Sequence, residues 1–595
     1  MTEPLPGFER PAVPQRVVSR PAGRLVSVQP DITSVQQSFT YEVPVAWEED
    51  GRAHKVAVGS LVRVDFGGRR TAGWVTAVDV DFDDSVDVRP LSKWSSHGPP
   101  QEVLDLASWA AWRWAGRVPH FLRVASPARM VPMVRHRPPS ANVEVPAGLE
   151  ATFAAGVSLV RSAPSDLGLD LAVAAAAIGS ALILVPTIAH RRALAVRLRD
   201  SGVAVAEYDD QWERSASGAT TIGTRTAAFA PLSDIDAVLV IDEHDSTYKE
   251  ERTPAWNARD VAIERARRAE VPCVLASPSP SLEGLHAADR TLIPERSAER
   301  NAWPQVDVVD LRTQDTPGLL TEPIVDTIRR EGPIAVILNR KGRARMLECA
   351  TCSSLAACTE CGAALREDDE GRLVCARDGT VRPMVCNECN GTHMKQLRLG
   401  ISRMAEDLAA LARRPVVEVS AETQHRELSG NQLFIGTEAL LHRIDSAKAV
   451  VFLDFDQELA VPRYRAGEDA FGLLTLAARR VGPKAAGGRI IVQTRRPQDV
   501  VVQAAVNGNP GRLAIAQRDI RQVFHQPPYG AWALVSGAGA ADFIASLQNR
   551  SGVQINRLGD RWRVSAPDHE TLLDAINGTE RPPERLRIEV DPLSI

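Results

Sequence analysis

The chain has 595 residues, 44% hydrophobic and 24% charged, with a net charge of −5. That length excludes a single core, and that balance excludes a disordered or fibrous chain. A mildly acidic total also excludes a wholesale polycation, so any grip on nucleic acid must come from local patches.

Residues 24–95 read as short β segments, RLVSVQP, SFTYEVPV, LVRVDFG and TAGWVTAVDV, with glycines at 59, 67, 68 and 73 between them. This spacing predicts a small barrel or sandwich. Residues 101–135 switch to helical spacing through Val103, Leu106, Trp109, Trp112 and Trp114, then Phe121, Leu122 and Val124. From 106 to 143 there is no Asp or Glu, yet Arg113, Arg117, Arg123, Arg129, Arg135 and Arg137 fall there, a candidate phosphate footprint. Pro138 and Pro139 open a linker.

From about 153 strands and helices alternate, as in parallel α/β domains. The apolar strand candidates are GVSLVR, ALILVP, DAVLVID, PCVLAS, PIAVILN, KAVVFLD and GRIIVQT, and the length allows two such domains. Residues 171–189 are long and apolar, but Gly179, Ser180 and Pro186 interrupt them. A buried helix followed by a buried strand is expected there, with no membrane span. The start, Met-Thr-Glu-Pro-Leu-Pro, has no signal pattern, so a cytoplasmic protein is expected. The tail from about 530 reads as a small α+β sandwich.

Seven of the eight cysteines lie between 349 and 389, which in a large cytosolic protein argues for metal over disulfides. Cys349/Cys352, Cys358/Cys361 and Cys386/Cys389 have the two-residue gap of thiolates that grip one ion from a turn. Cys375 stands alone, with Asp378 where its partner would be. Four half-sites predict two structural zinc ions. Joining the outer half-sites gives Cys349, Cys352, Cys386 and Cys389 one ion, and leaves Cys358, Cys361 and Cys375 a three-thiolate site whose fourth ligand is Asp378 or water. A serial pairing would instead join 349–361 and 375–389.

The runs IGTRTAAFAPL (222–232), DEHDSTYKEE (242–251), NARDVAIERA (257–266), ILNRKGRA (337–344), VPRYRAGEDAFGLL (461–474), QPPYG (526–530) and LRIEVDP (586–592) together resemble the PriA family of bacterial replication-restart proteins. FTYEVP and VGSLVRVDFGGRRTAGWV resemble that family's domain for a free 3′ DNA end. The likeness is to an actinobacterial, helicase-degenerate form. It implies a multidomain α/β protein: a 3′-end-binding β domain over 1–98, a winged helix over 99–150, a first RecA-like helicase lobe over 151–300, a second over 301–505 with a zinc-binding insertion at 345–398, and a C-terminal α+β DNA-binding domain over 506–595.

Against the family pattern, the motifs for ATP are degraded. A phosphate-binding loop needs glycines, a lysine and a Ser/Thr. Here the loop is Ser162, Ala163, Pro164, Ser165 and Asp166, and no lysine occurs between Lys93 and Lys249. The family's Asp-Glu-Glu-His is shortened to Asp242, Glu243 and His244. In the second lobe, Arg480 matches one arginine of the family's run and Pro483 stands at the other. The aromatic-rich loop is reduced to Tyr248 and Trp256. No catalytic residue is expected.

For DNA, the resemblance points to Phe39 and Tyr41 for base stacking, and to Arg69 and Arg70 on a glycine-rich hairpin for phosphates; Thr40 departs from the usual Asp. The expected function is recognition of branched DNA at abandoned forks. Primosome and helicase-loading proteins, and single-stranded DNA-binding protein, are the expected partners at the nucleoid. The alternatives are an active 3′-to-5′ helicase with an atypical nucleotide site, and a zinc-dependent scaffold with little DNA affinity.

Overall fold

The computed structural model describes residues 21–594 except 84–87, 136–142, 233, 315–317, 331, 340–346, 369, 376, 397–400, 420–422, 424–427 and 429–432. Arg137, the Pro138–Pro139 linker and residues 340–344 of the ILNRKGRA run therefore lie outside the described residues. The chain forms two compact units, Met1–Ser108 with Arg117–His136, and Trp109–Gly116 with Arg137–Ile595.

In the smaller unit, six strands form one sheet: β1 Leu25–Pro30, β2 Phe39–Glu42, β3 Leu61–Phe66, β4 Arg69–Val78, β5 Arg89–Pro90 and β6 Lys93–Ser96, in the order β5-β2-β1-β4-β3-β6. Alternation puts Val26, Val28, Tyr41, Val62, Val64 and Val75 into one apolar core. Gly67 and Gly68, both at positive φ, make the two-residue turn from β3 to β4, with Phe66 paired to Arg69. A glycine pair suits that turn because both residues must be left-handed. Two helices follow, α1 Gln101–Arg113, whose residues from Trp109 on count with the larger unit, and α2 Val118–Ala125. They fall in the region expected to be a winged helix; no strand follows among the described residues between 126 and 149.

The larger unit contains two all-parallel α/β lobes. The first has β7 Val157–Arg161, α3 Leu169–Ile178, β8 Ala181–Leu184, α4 Ile188–Asp200, β9 Val205–Glu207, β10 Thr220–Gly223, β11 Ala237–Ile241, α5 Ala258–Ala269, β12 Cys273–Ser277, α6 Leu282–Ala287 and β13 Arg290–Leu292. Its strand order is β13-β7-β12-β11-β8-β10-β9. β8 and β11 are buried along their whole length, as a sheet covered on both faces requires. The apolar stretch 171–189 resolves into α3 and β8, and among the described residues no helix is long and apolar enough to cross a membrane.

The second lobe has β14 Gln305–Asp310 and β15 Ile334–Ile337. It then carries the insertion strands β16 Leu347–Cys349, β17 Leu365–Glu367, β18 Leu373–Cys375, β19 Val381–Arg382 and β20 Met394–Gln396. β21 Val417–Val419, β22 Leu433–Gly436, β23 Ala449–Phe452, α7 Ala466–Val481 and β24 Arg489–Thr494 complete it. Its order is β14-β24-β23-β15-β22-β21. After α8 Pro510–Val523 comes the tail: β25 Ala531–Ser536, α9 Ala540–Leu547, β26 Gln554–Leu558, β27 Arg561–Ala566, α10 His569–Asn577 and β28 Arg587–Val590. The order β26-β27-β25-β28, all antiparallel, is the ferredoxin-like β-α-β-β-α-β arrangement.

Candidate functional sites

In a parallel α/β lobe, ligands gather at the carboxyl ends of the strands. Three such ends meet here: the loop after β7, the turn after β11 and the loop after β12. The loop after β7 spends its amides internally. Ser162 N–H donates to the Ser277 carbonyl (3.0 Å), Asp166 N–H to the Ala163 carbonyl (3.0 Å) and Gly168 N–H to the Asp166 carboxylate (2.7 Å). Pro164 has no N–H to offer.

Asp242 follows β11 with a left-handed backbone (φ +54) that turns the chain toward His244. Its carboxylate is buried and receives both terminal nitrogens of Arg479, from α7 of the second lobe, each at 2.7 Å. The same guanidinium donates its Nε to the Pro164 carbonyl (2.8 Å). Arg479 thus ties the β7 loop and Asp242 to the opposite lobe. Burial would raise the Asp242 carboxyl, but Arg479, helped by His244 and His190, reverses this and holds it below its ordinary value. The cavity left between the lobes is about 250 Å³, with Asp242, His244, Asp245, Glu438 and Arg479 on its wall. That lies under the ~300–1,000 Å³ of ordinary small-molecule pockets.

Glu243 points elsewhere. Its fully buried carboxylate accepts from Ser281 N–H and Ser281 Oγ, both at 2.7 Å, and pairs with Arg259 (3.3 Å). Gly284 makes room for it, since a Cβ there would lie 2.7 Å from a Glu243 oxygen. Glu243 therefore anchors the start of α6. His244 Nδ1 shares a hydrogen bond with Ser277 Oγ (2.8 Å). Arg480 turns back into its own lobe, donating Nε to the Leu441 carbonyl (2.6 Å). Tyr248 is buried with its hydroxyl on the Ile241 carbonyl, and Trp256 packs edge-on against Phe229, so both aromatics serve the core. Arg479 was missed in the sequence because its partner lies 237 residues away.

The cysteines form two separate tetrads. Pairing of β16 with β20 brings the first half-site to the last, with Sγ–Sγ distances of 3.5 Å for Cys349–Cys389 and for Cys352–Cys386. Pairing of β17 with β18 gathers Cys358, Cys361 and Cys375, and Asp378 completes the set. Cys361–Cys375 is 3.4 Å, and Asp378 Oδ2 lies 3.2 Å from Cys358 Sγ. Within each set all donor atoms lie within 4.8 Å of one another. A tetrahedral ion with sulfur at ~2.3 Å has ligand edges of roughly 3.8 Å, so both sets fit a metal. The geometry pairs outer with outer and inner with inner, not serially. Turn amides of Thr351, Arg377 and Glu388 donate to Cys349, Cys375 and Cys386, each at 3.4 Å, which stabilises thiolates.

In the smaller unit the four expected DNA residues part company. Phe39 is half-buried and packs edge-on against Phe66 (5.1 Å), at the foot of the hairpin that carries Arg69 and Arg70, both exposed. Phe66 was not singled out in the sequence, although it precedes Gly67 directly. Tyr41 departs from the stacking expectation. It is 4% exposed, packs in the core and donates its hydroxyl to the Asp65 carbonyl (3.1 Å), because β2 alternation turns it inward. The arginine stripe is also interrupted: Arg123 is held by Asp31 (2.7 Å), and Arg113, which counts with the larger unit, by Asp591 of that same unit (2.8 Å).

A family model for the 3′ DNA-binding domain of PriA matches residues 25–127, which contain this sheet, its hairpin and both helices after it. The chain is also similar to PriA proteins well beyond that domain. The replication restart protein PriA of Bacillus subtilis is 26% identical over 433 residues, covering 64% of this chain and 54% of that protein. A Mycobacterium tuberculosis protein named "Probable replication restart protein PriA" is 26% identical over 592 residues, 89% of each chain. The chain thus spans about half the length of the Bacillus PriA and nearly all of the mycobacterial one. Among solved structures, a DEAD box protein from the hyperthermophile Methanococcus jannaschii aligns with a TM-score of 0.31 and 11% identity, covering 63% of this chain and 89% of that one.

Proposed function

We propose that this chain binds branched DNA at stalled or abandoned replication forks and recruits the proteins that load the replicative helicase, without hydrolysing ATP. The 3′-end domain supports the DNA reading: Phe39 and Phe66 form a half-buried aromatic pair beside the hairpin, and exposed Arg69 and Arg70 offer charge for phosphate. The observation that carries the loss of ATPase is the Arg479 bridge. A guanidinium bonded to Asp242 and to Pro164 occupies the place between the lobes where magnesium and phosphates would need a free carboxylate and free amides. Zinc is the metal that suits both cysteine sets, and bound there it cross-links an insertion with a small apolar core. Partners would be primosome and helicase-loading proteins, with single-stranded DNA-binding protein among them, in the cytoplasm at the nucleoid.

The test is binding to fork, duplex and single-stranded DNA at two salt concentrations, with and without magnesium-ATP. Salt-sensitive preference for forks with a free 3′ end, unchanged by ATP, is expected. ATP-driven fork unwinding would overturn the reading, and negligible binding to all three would favour a protein scaffold.

A further inference from the structure

The two cysteine sets differ in one ligand and in what they hold. The outer set is four thiolates. The inner set has three, with the Asp378 carboxylate as its fourth donor. A carboxylate oxygen is a harder and weaker partner for zinc than a thiolate, and water replaces it more readily. Asp378 is also exposed, and it spends Oδ1 on the Thr380 amide (2.9 Å), which leaves Oδ2 turned toward the thiolates.

The inner set is also where the insertion is fastened to the second lobe. Ala364 N–H donates to the Ala460 carbonyl (3.1 Å). Arg377 bridges the Cys361 and Val461 carbonyls (2.8 Å each), and Arg496 reaches the Gly362 carbonyl (3.4 Å). The same loops form one wall of a groove of about 1,990 Å³, whose other wall is β26 and β27 of the C-terminal domain. Cys358, Cys361 and Asp378 line the groove directly. The outer cysteines are not on its wall.

We propose that the inner set is an exchangeable zinc position whose occupancy holds this wall of the groove in place, while the outer zinc is the permanent fold-holding ion. This rests on the zinc reading above. Losing the inner ion would free the Cys358–Gly362 and Cys375–Thr380 turns together with the bonds to Ala460 and Val461. The groove would change shape while the β16–β20 clasp stayed intact.

The experiment uses the full chain, with zinc counted by elemental analysis and then withdrawn by a chromogenic chelator. Two equal release phases are expected, the first at least about tenfold faster than the second. Hydrogen exchange sampled after the first phase should rise in 358–380 and 460–464 and stay protected in 347–356 and 386–396. Asp378→Cys should merge the phases into the slow one, and Asp378→Ala should purify with one zinc. Two zincs leaving in a single phase from the unaltered protein, or an Asp378→Cys protein with both phases unchanged, would overturn the inequality. A fast phase that raised exchange in the outer segments would overturn the assignment. A protein that purified with no zinc at all would sink the zinc reading beneath it.

Discussion

Asp242 stays ionised in a fully buried position because Arg479 reaches it from the other lobe. Removing one member of a buried pair typically costs about 3–5 kcal/mol, since the other charge is stranded. Arg479→Ala should therefore lower the melting temperature clearly, without creating ATP turnover. The pH dependence follows from the sign of the shift. A depressed carboxyl stabilises the fold above its unfolded value near 4 and loses that contribution as pH falls through the lower folded value. The gap in melting temperature between wild type and Arg479→Ala should thus be full at neutral pH and narrow below about pH 4; a constant gap would refute the pairing. Glu243→Gln should destabilise through Arg259 and Ser281, again with no effect on phosphate release. Lys249 gives the same pH sense in a higher window. It is buried with Nζ on the Val590 carbonyl (2.7 Å), and burial pulls it from 10.5 to about 8. Between about pH 8 and 10.5 the unfolded chain holds the extra proton, so this residue should add stability as pH rises through that window, on the order of 3 kcal/mol at most. Lys249→Met should lack that rise in a pH series of thermal melts. At this scale the sequence showed which residue types were missing from the β7 loop, but not what replaced them. Arg479 and Arg480 are adjacent in sequence, and only the helical phase of α7 decides which one crosses to the first lobe. Tyr41 misled for a similar reason, since alternation shows that it shares a face with Phe39 but not that the face is the core.

Among the elements, the apolar runs were the legible part. All seven strand candidates of the α/β region became parallel strands, because burial on both faces demands continuous Val, Ile and Leu. The strands left unread are short or carry polar residues. β14 is QVDVVD at the sheet edge, where alternate side chains meet water, and β9 has only three residues. The cysteine insertion was legible from spacing, while its pairing required the β16–β20 and β17–β18 ladders. Its apolar core is small, centred on Leu347, Ala356, Ala363, Leu365 and Leu373. A core that small gains much of its stability from a metal when one is bound. Cys386→Ser should lose the outer zinc and make 347–396 sensitive to protease, while the parallel lobes keep their protection. Equal resistance in the variant and the parent would contradict a structural metal.

Across the larger unit, the two lobes and the chain after them are joined by the molecule's own charges. Arg521, fully buried, pairs with Glu283 (2.9 Å) of the first lobe and with Glu468 of the second, and stacks on Tyr464 (4.9 Å). Arg465 also meets Glu283 (3.4 Å), and Glu468 accepts from Leu282 N–H (2.9 Å). In a motor, nucleotide binding supplies that closure and hydrolysis releases it. Here buried ion pairs hold the two lobes against each other without any nucleotide. The most direct measurement is phosphate release by the zinc-loaded chain at saturating magnesium-ATP and fork DNA. No release above the protein-free rate is expected; fork-stimulated turnover at about 1 s⁻¹ or faster, in the ordinary range of enzymes, would show a working ATPase instead.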